Sequence, residues 1–567
     1  MSETFTRKLL VIALDGATWD LLDGWLKEGK LPNLQRLING GVSAALESTI
    51  PPISPTAWLS FFTGKNPGHH GVYDFFRPLR RHYTDLIPST ADLNQQPTLW
   101  GILSQWHRPV CVVNVPMTFP AEKVTGCIIP GAPAPAVFDA AYPPGLLAEL
   151  QEQGWDLTRD ATLVKGSYEE MFQSLKDLVN TRVEATCYLL KNKSWDFFMV
   201  HFLETDQAGH TFWRFLEKEG NPYQNSMLSI FEVVDEGVGK ILKTAGDVPV
   251  ILMSDHGMGA VKYHLNLNNW LLQEGSMQWK RRISTALRRF GYRLGLSPSF
   301  VYNLLPSELT QRLTLGELRT GLAQIPTEHV GQHISGFQKL VKTISRWLFL
   351  SFDDIDWAST VAYSTGTTQV GFIYLNVRGR EPHGIVNEGA EYEYVRAQIA
   401  ERLLTFVDPY TNRSLVKRVY RREELYCGPY YNDGPDLIVE YNYGEYDQKK
   451  GPIFMSTHSV QRVRDANAAH RMEGIFLMCA PGMAVQDAKI EKVHLIDIAP
   501  TVFYMLGEKV PREFEGQVIE RAFTDEYRST HPMQMYEEAL TNLKPEGEVS
   551  PEELEDILER LHGLGYV

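Results

Sequence analysis

Residues 248–259 read VPVILMSDHGMG, six apolar residues that stop abruptly at Ser254, Asp255, His256 and Gly257. An apolar run rich in Val and Ile, closed by Ser, Asp and Gly, predicts a buried strand that ends at a turn. Asp255 and His256 then stand at the strand's carboxyl end, where open α/β sheets bind their ligands. A carboxylate beside an imidazole offers hard oxygen and borderline nitrogen to one metal ion. Taken alone, the pair is equally well a turn with a helix cap.

The same pattern recurs upstream. KLLVIAL (8–14), PVCVVNV (109–115) and WDFFMVHF (195–202) are strand-like, and helical patterns such as LPNLQRLINGG and YEEMFQSLKDLVNTRVEATCYLLKN lie between them. Alternating strand and helix predicts an α/β fold, a mostly parallel sheet covered on both faces. VGFIYLNV (370–377), DLIVEY (436–441) and GIFLMC (474–479) are candidates to extend that sheet.

A chain of 567 residues is too long for one ordinary compact core, so two or three domains, or one large domain with insertions, are expected. Five cysteines, with no C-x-x-C pair and an odd count, fit free thiols in a reducing compartment better than a disulfide framework. The opening MSETFTRKLLVIALDG reaches an Asp after a short apolar run, which fits neither a secretory leader nor a membrane span; a cytoplasmic place is expected. A net charge of −14 disfavours non-specific nucleic-acid binding through the whole surface.

Four strand ends carry acids or histidines. VIALDGA ends in Asp15, FFMVHFLETDQAGH leads to Asp206 and His210, VILMSDHG gives Asp255 and His256, and ANAAHRMEGIFLMCAPG sets His470 just before a strand. Asp206 and His210 are four apart, a spacing that puts both side chains on one helix face. Singly, each feature has an ordinary structural reading: turn, solvated helix face, cap or core histidine. Jointly, three carboxylates and three imidazoles suffice for two divalent cations if one more oxygen exists. TIPPISPTAWLSFFTGKNPGHHGVYDF (49–75) offers it, because Ser54 or Thr56 stands at the start of a helix-like run, where the macrodipole favours an anionic oxygen and an anionic substrate.

Asp15-Gly16, PPISPTAWLSFFTGKNPGHHG, TDQAGH, SDHGMG and HRMEG together resemble the alkaline phosphatase superfamily, in particular its type I phosphodiesterase/nucleotide pyrophosphatase branch and soluble microbial phosphohydrolase/phosphomutase relatives. The resemblance spans roughly 5–260 and 355–520. It implies an alkaline phosphatase-like fold and a metal-dependent phosphoric ester hydrolase, with one ion held by Asp15, Ser54, Asp255 and His256 and a second by Asp206, His210 and His470. Relatives place the nucleophile nine residues before the Thr of a Thr-Gly pair, which is Ser54 counted from Thr63, with Thr56 as the fallback. His69 and His70 resemble a loop that supports the nucleophile helix. His458 is the rival to His470, which is preferred for its place directly ahead of a strand. The donor set fits zinc, with manganese or iron as alternatives. The implied chemistry is in-line displacement on a small organic phosphate or phosphodiester through a phosphoseryl intermediate.

Asn114 is a candidate donor to the substrate, Lys165 and Arg380 are candidates for a second negative charge, and His201 reads as a core histidine. Residues 276–350 carry eleven Lys and Arg against three Glu, and Ile283, Ala286, Leu287, Phe290 and Leu294 share one helical face. This module reads as a solvated helical insertion, a cap that attracts anionic substrate, or a membrane-surface helix. The expected divisions are a core over 1–260, an inserted basic helical cap over 261–354, the rest of the core over 355–525 and a helical tail over 526–567, with Ser550 and Glu553 forming a capping box. Alternatives are a phosphomutase or phosphomonoesterase of the same superfamily, and an inactive protein that binds an anionic headgroup. A sulfatase is disfavoured, because PTAW follows Ser54 and no Arg stands there.

Overall fold

The computed structural model describes residues 8–78, 83, 86–135, 140–159, 166–298, 300, 347–365, 369–442, 444, 446–448, 454, 456–543 and 549–563. In chain order the strands that position the site are β1 (Leu9–Leu14), β2 (Val42–Glu47), β3 (Val110–Val115), β4 (Gly126–Pro130), β5 (Phe197–Phe202), β6 (Val250–Met253), β7 (Gly257–Leu265), β8 (Val460–Arg471) and β9 (Glu473–Cys479). The main sheet runs β2–β9–β6–β1–β5–β3–β4, and the two-residue strands Ala488–Lys489 and Val493–His494 pair with β2 at its edge. The β1–β5, β1–β6, β3–β5 and β3–β4 pairs are parallel, whereas β9 runs antiparallel to both its neighbours.

Every residue of β1 is fully buried because both faces of the sheet are covered. The helices concerned are α1 (Ser54–Thr63), α2 (Tyr168–Asn192), α3 (Glu204–Phe212) and α4 (Ser226–Ala245). Leu10, Ile12 and Leu14 pack in a core with Leu175 and Val183 of α2 and Ile230 and Val238 of α4. Leu9, Val11 and Ala13 point the other way, into a core with Trp58, Phe61 and Phe62 of α1. This two-sided burial is what turns the strands into unbroken apolar runs. The capping box of the last helix is formed: Ser550 N donates to Glu553 and Glu553 N donates to Ser550 Oγ, at 2.7 and 3.2 Å. Ile557, Leu558 and Leu561 of that helix enter the first core.

Two expectations are corrected. Residues 474–479 join the main sheet as β9, but Val370–Leu375 and Leu437–Tyr441 do not. They pair antiparallel with each other in a separate four-stranded sheet with Ala362–Tyr363 and Val416–Arg421. That sheet has its own core, which also takes in Leu265, Leu267, Trp270 and Leu271. A short apolar run states that a strand is buried, not which sheet buries it. Cys111 and Cys127, expected as free thiols, are joined as a disulfide. Parallel pairing of β3 with β4 sets them directly opposite each other, with Cα atoms 4.7 Å apart. Cys187, Cys427 and Cys479 are free. Of the basic insertion, α5 (Ile283–Arg293) is described, and 301–346 lie outside the described residues. Among the described residues no helix is long and apolar enough to cross a membrane.

Candidate metal centre

The carboxyl ends of β1, β5 and β6 bring the acids together. Asp15 follows β1, and Gly16 turns the chain with a φ of 66°, a left-handed value that glycine adopts without strain. After β5 the chain enters α3 at once, so Asp206 and His210 fall one turn apart on the face toward the sheet end. After β6 the chain turns through Asp255 and His256 into β7. Strand β8 lies antiparallel on β7 with His470 opposite Met258, which stacks the His470 ring on that of His256 at 3.7 Å between centroids. Helix α1 starts at Ser54.

The distances bring these side chains together, with His256 close to both Asp15–Asp255 and Asp206–His470. His256 Nε2 lies 3.3 Å from Asp255 Oδ2, 3.6 Å from Asp15 Oδ1 and 3.3 Å from Ser54 Oγ. Asp206 Oδ1 lies 3.4 Å from His210 Nε2 and 3.5 Å from His470 Nε2. All three imidazoles are oriented alike: Nδ1 of His256, His210 and His470 faces the carbonyl of Gly257, Ala468 and Pro52, at 3.0, 3.2 and 3.1 Å. A carbonyl only accepts, so the hydrogen bonds assign the proton to Nδ1 and leave the Nε2 lone pair facing inward, as in metal-ligating histidines. His210 Nε2 and His470 Nε2 then oppose each other at 3.0 Å, an arrangement that a cation between them relieves.

Charge balance points the same way. Asp15 Oδ1, both Asp206 oxygens and Asp255 Oδ2 are buried with no hydrogen-bond donor among the described residues. Burial, then repulsion from Asp206, pushes Asp15 up to about 7; burial, then repulsion from Asp15, pushes Asp255 up to about 8. Burial works against Asp206 too, but where no cation is bound His210 and His470, when protonated, outweigh it and lower the carboxyl; a cation at their Nε2 atoms would take over that charge. Burial lowers His470 well below its ordinary value. A buried site with three acids needs positive charge, and divalent cations would supply it.

Support for Asp15 comes from residues that carry no signal in the sequence. Trp58 Nε1 donates to Asp15 Oδ2 at 3.2 Å, His201 Nε2 meets the same oxygen at 2.7 Å, and Thr205 Oγ1 donates to the Asp15 carbonyl at 2.6 Å. His201, read as a core histidine, is buried but touches the centre directly. Thr56 is fully buried and its hydroxyl has no hydrogen-bond partner among the described residues, whereas Ser54 Oγ reaches His256. His70 Nε2 meets Ser60 Oγ of α1 at 2.9 Å, the supporting contact expected of that loop. Asn114 sits at a break in the β3–β4 register with a φ of 58°, and its carbonyl accepts from His201 Nδ1. Arg380 is spent on Asp436, through Nη1 at 2.8 Å and Nη2 at 2.6 Å. His458 accepts from Asn266 through its carbonyl. Lys165 lies outside the described residues.

The profile of the type I phosphodiesterase/nucleotide pyrophosphatase family matches residues 9–492. The chain belongs to this family. As a type I phosphodiesterase/nucleotide pyrophosphatase family member it is a metal-dependent phosphoric ester hydrolase with an alkaline phosphatase-like fold. Among solved structures, phosphonoacetate hydrolase from Sinorhizobium meliloti 1021, in complex with phosphonoformate, superposes with a TM-score of 0.50 at 12% identity, covering 88% of this chain and 95% of its own. Murine ectonucleotide pyrophosphatase/phosphodiesterase 5 gives 0.47 at 13% identity, covering 91% and 100%. No curated protein sequence matches the chain.

Proposed function

We propose that this family member cleaves a small phosphodiester or related organic phosphate with Ser54 as nucleophile. Asp15, Ser54, Asp255 and His256 hold one divalent cation, and Asp206, His210 and His470 hold the other. The observation that carries the reading is Ser54 Oγ at 3.3 Å from His256 Nε2, beside carboxylate oxygens that lack donors. When bound, such cations supply Lewis acidity that lowers the pKa of a coordinated hydroxyl and neutralises charge on phosphoryl oxygens. The seven donors are three carboxylates, three imidazoles and one hydroxyl, a set that suits zinc first, then manganese or iron.

The remaining work falls to the chain itself. The start of α1 presents Ser54 Oγ at the helix N-terminus, where backbone N–H groups point at an anionic phosphoryl group. Ser54 Oγ gives up its proton and bonds to phosphorus as the P–O bond to the leaving group breaks on the opposite side and that oxygen takes up a proton; water then displaces the phosphoryl group, and one of its protons returns to Ser54 Oγ. Ser54 borders a shallow cleft lined by Pro55, Phe75, Pro116, Met117, Ala132, Pro133 and Leu203, an apolar surface against which a leaving group would rest. Asn114 lines an adjoining cleft, which shares Ala132 and Leu203, and would meet a more distant part of the substrate.

The test is turnover of bis-aryl against mono-aryl phosphates by full-length protein supplied with zinc or manganese. Preference for the diester is expected. Ser54→Ala should remove turnover and the phosphoryl adduct seen on acid-quenched protein, while Thr56→Ala keeps both. Adduct and activity surviving in Ser54→Ala would overturn the assignment.

The basic insertion supports a contact with an anionic lipid surface. Ile283, Leu287, Phe290 and Leu294 on one face of α5 are 83, 67, 64 and 73% exposed, and Arg281, Arg282 and Arg293 beside them are exposed as well. An apolar stripe flanked by cations fits the boundary between acyl chains and acidic headgroups. Co-sedimentation with phosphatidylserine-containing vesicles is expected and should be lost in Leu287→Glu/Phe290→Glu; equal sedimentation of that variant contradicts the contact.

A further inference from the structure

Away from the metal centre, three segments distant in the chain bring a histidine, a cysteine and a glutamate to one point. Cys427 Sγ lies 3.0 Å from Glu515 Oε1 and 3.8 Å from His69 Nε2, and His69 Nε2 lies 3.1 Å from Glu515 Oε1. We propose that His69, Cys427 and Glu515 form a further zinc site, with three protein ligands and a fourth position open to solvent.

The triangle itself is the argument. A tetrahedral zinc with Zn–S of about 2.3 Å and Zn–N and Zn–O of about 2.0–2.1 Å holds its ligand atoms about 3.3–3.6 Å apart. The observed edges of 3.0, 3.1 and 3.8 Å bracket that range, so each side chain needs to shift by only a few tenths of an ångström. The donor types match as well: thiolate, imidazole and carboxylate are the three classes of protein ligand that zinc takes.

A second layer orients the ligands. Asn66 Nδ2 donates to both Glu515 oxygens at 2.8 Å and to Cys427 Sγ at 3.1 Å, and Asn66 Oδ1 accepts from Cys427 N at 3.2 Å. One side chain thus fixes two of the three ligands, in the manner of the outer partners found around zinc sites. Burial and the adjacent Glu515 raise the Cys427 thiol, so the proton stays on sulfur in the absence of a cation. On metal uptake the S–H bond breaks, an S–metal bond forms and the proton passes to solvent; no group is oxidised or reduced.

The position gives the ion a task. Glu515 N donates to the Gly64 carbonyl at the end of α1, and Tyr430 N donates to the Gly68 carbonyl just beyond. The site therefore ties 427–430 and 515 to the turn behind the helix that begins with Ser54. A ten-residue helix is about 15 Å long, which keeps this ion away from the reacting atoms.

The experiment uses full-length protein stripped by chelator and titrated with Co²⁺. All ligands of the metal centre are nitrogen or oxygen, so a thiolate-to-cobalt charge-transfer band in the near ultraviolet reports this site alone. The expected result is a saturable band in the wild type, its absence in Cys427→Ser with two equivalents of Co²⁺ still bound elsewhere, and at least tenfold weaker saturation of the band in His69→Gln. No band in the wild type, a band that persists in Cys427→Ser, or an unaltered titration in His69→Gln would each overturn the proposal. Because the band does not depend on turnover, it stands or falls separately from the role given to Ser54.

Discussion

Trp58 is one of three aromatic residues on α1, and only its Nε1, 3.2 Å from Asp15 Oδ2, distinguishes it from core packing. It holds one oxygen of a carboxylate whose other oxygen faces the centre. Trp58→Phe keeps a large ring and removes the N–H, so it is expected to lower kcat/KM or metal affinity by about 10–100-fold, the usual cost of losing a partner behind a metal ligand. Far-ultraviolet dichroism and a metal titration would check that the fold persists while affinity falls; unchanged kinetics and affinity would show the bond to be incidental. Asp15, Asp206, Asp255 and the three histidines are legible in the sequence because polar residues at strand ends break an apolar pattern. Trp58 and His201 are not, because a buried aromatic residue inside an apolar run looks the same whether or not its nitrogen faces a carboxylate. His69 and Cys427 are hidden for a different reason: 358 residues separate them, and no local spacing relates them.

At the scale of elements, strands and helices near the centre follow from periodicity, and their mutual placement rests on contacts that periodicity does not encode. Helix α3 is anchored to α2 by a buried ion pair between Arg182 and Glu204, whose side chains are each 2% exposed. Removing one partner strands a buried charge, so Arg182→Met is expected to cost about 3–5 kcal/mol. Arg182→Met/Glu204→Met should recover most of that loss in urea unfolding; a double variant as unstable as the single one would assign the effect to packing. Burial sets a second element-level property at Glu122, which accepts from Thr98 Oγ1 at 2.8 Å at the start of the helix Leu99–Gln105. Burial pushes its carboxyl from 4.5 up to about 8, against hydrogen bonds from Thr98 and Trp100. The folded chain therefore holds a proton that the unfolded chain releases, and this contribution, full below pH 4.5, is lost as pH rises through about 8. Glu122→Gln should flatten the fall in melting temperature between pH 6 and 9, and a parallel fall in both proteins would contradict it. The disulfide between Cys111 and Cys127 and the second sheet were not legible at this scale, since strand pairing alone decides both.

Over the whole molecule, one end of the main sheet, with α1, α3 and β8 beside it, gathers the seven side chains proposed as donors, from position 15 to position 470. The order of motifs along the chain made this end of the fold legible, because Asp15, Asp206 and Asp255 follow parallel strands, whose carboxyl ends align, and His470 precedes the antiparallel β9, whose start lies at that same end. The apolar exposed face of α5 was legible too, as a helical stripe among cations, although what it meets in solution is a matter of charge and surface chemistry and not of the fold. The central claim is that these seven donors hold two cations with Ser54 beside one of them. Anomalous diffraction from crystals of metal-reconstituted protein tests it most directly. Two peaks about 3.5–4 Å apart, one against Asp15, Asp255, His256 and Ser54 Oγ and the other against Asp206, His210 and His470, are the result expected; density empty at both positions in metal-saturated protein would contradict it.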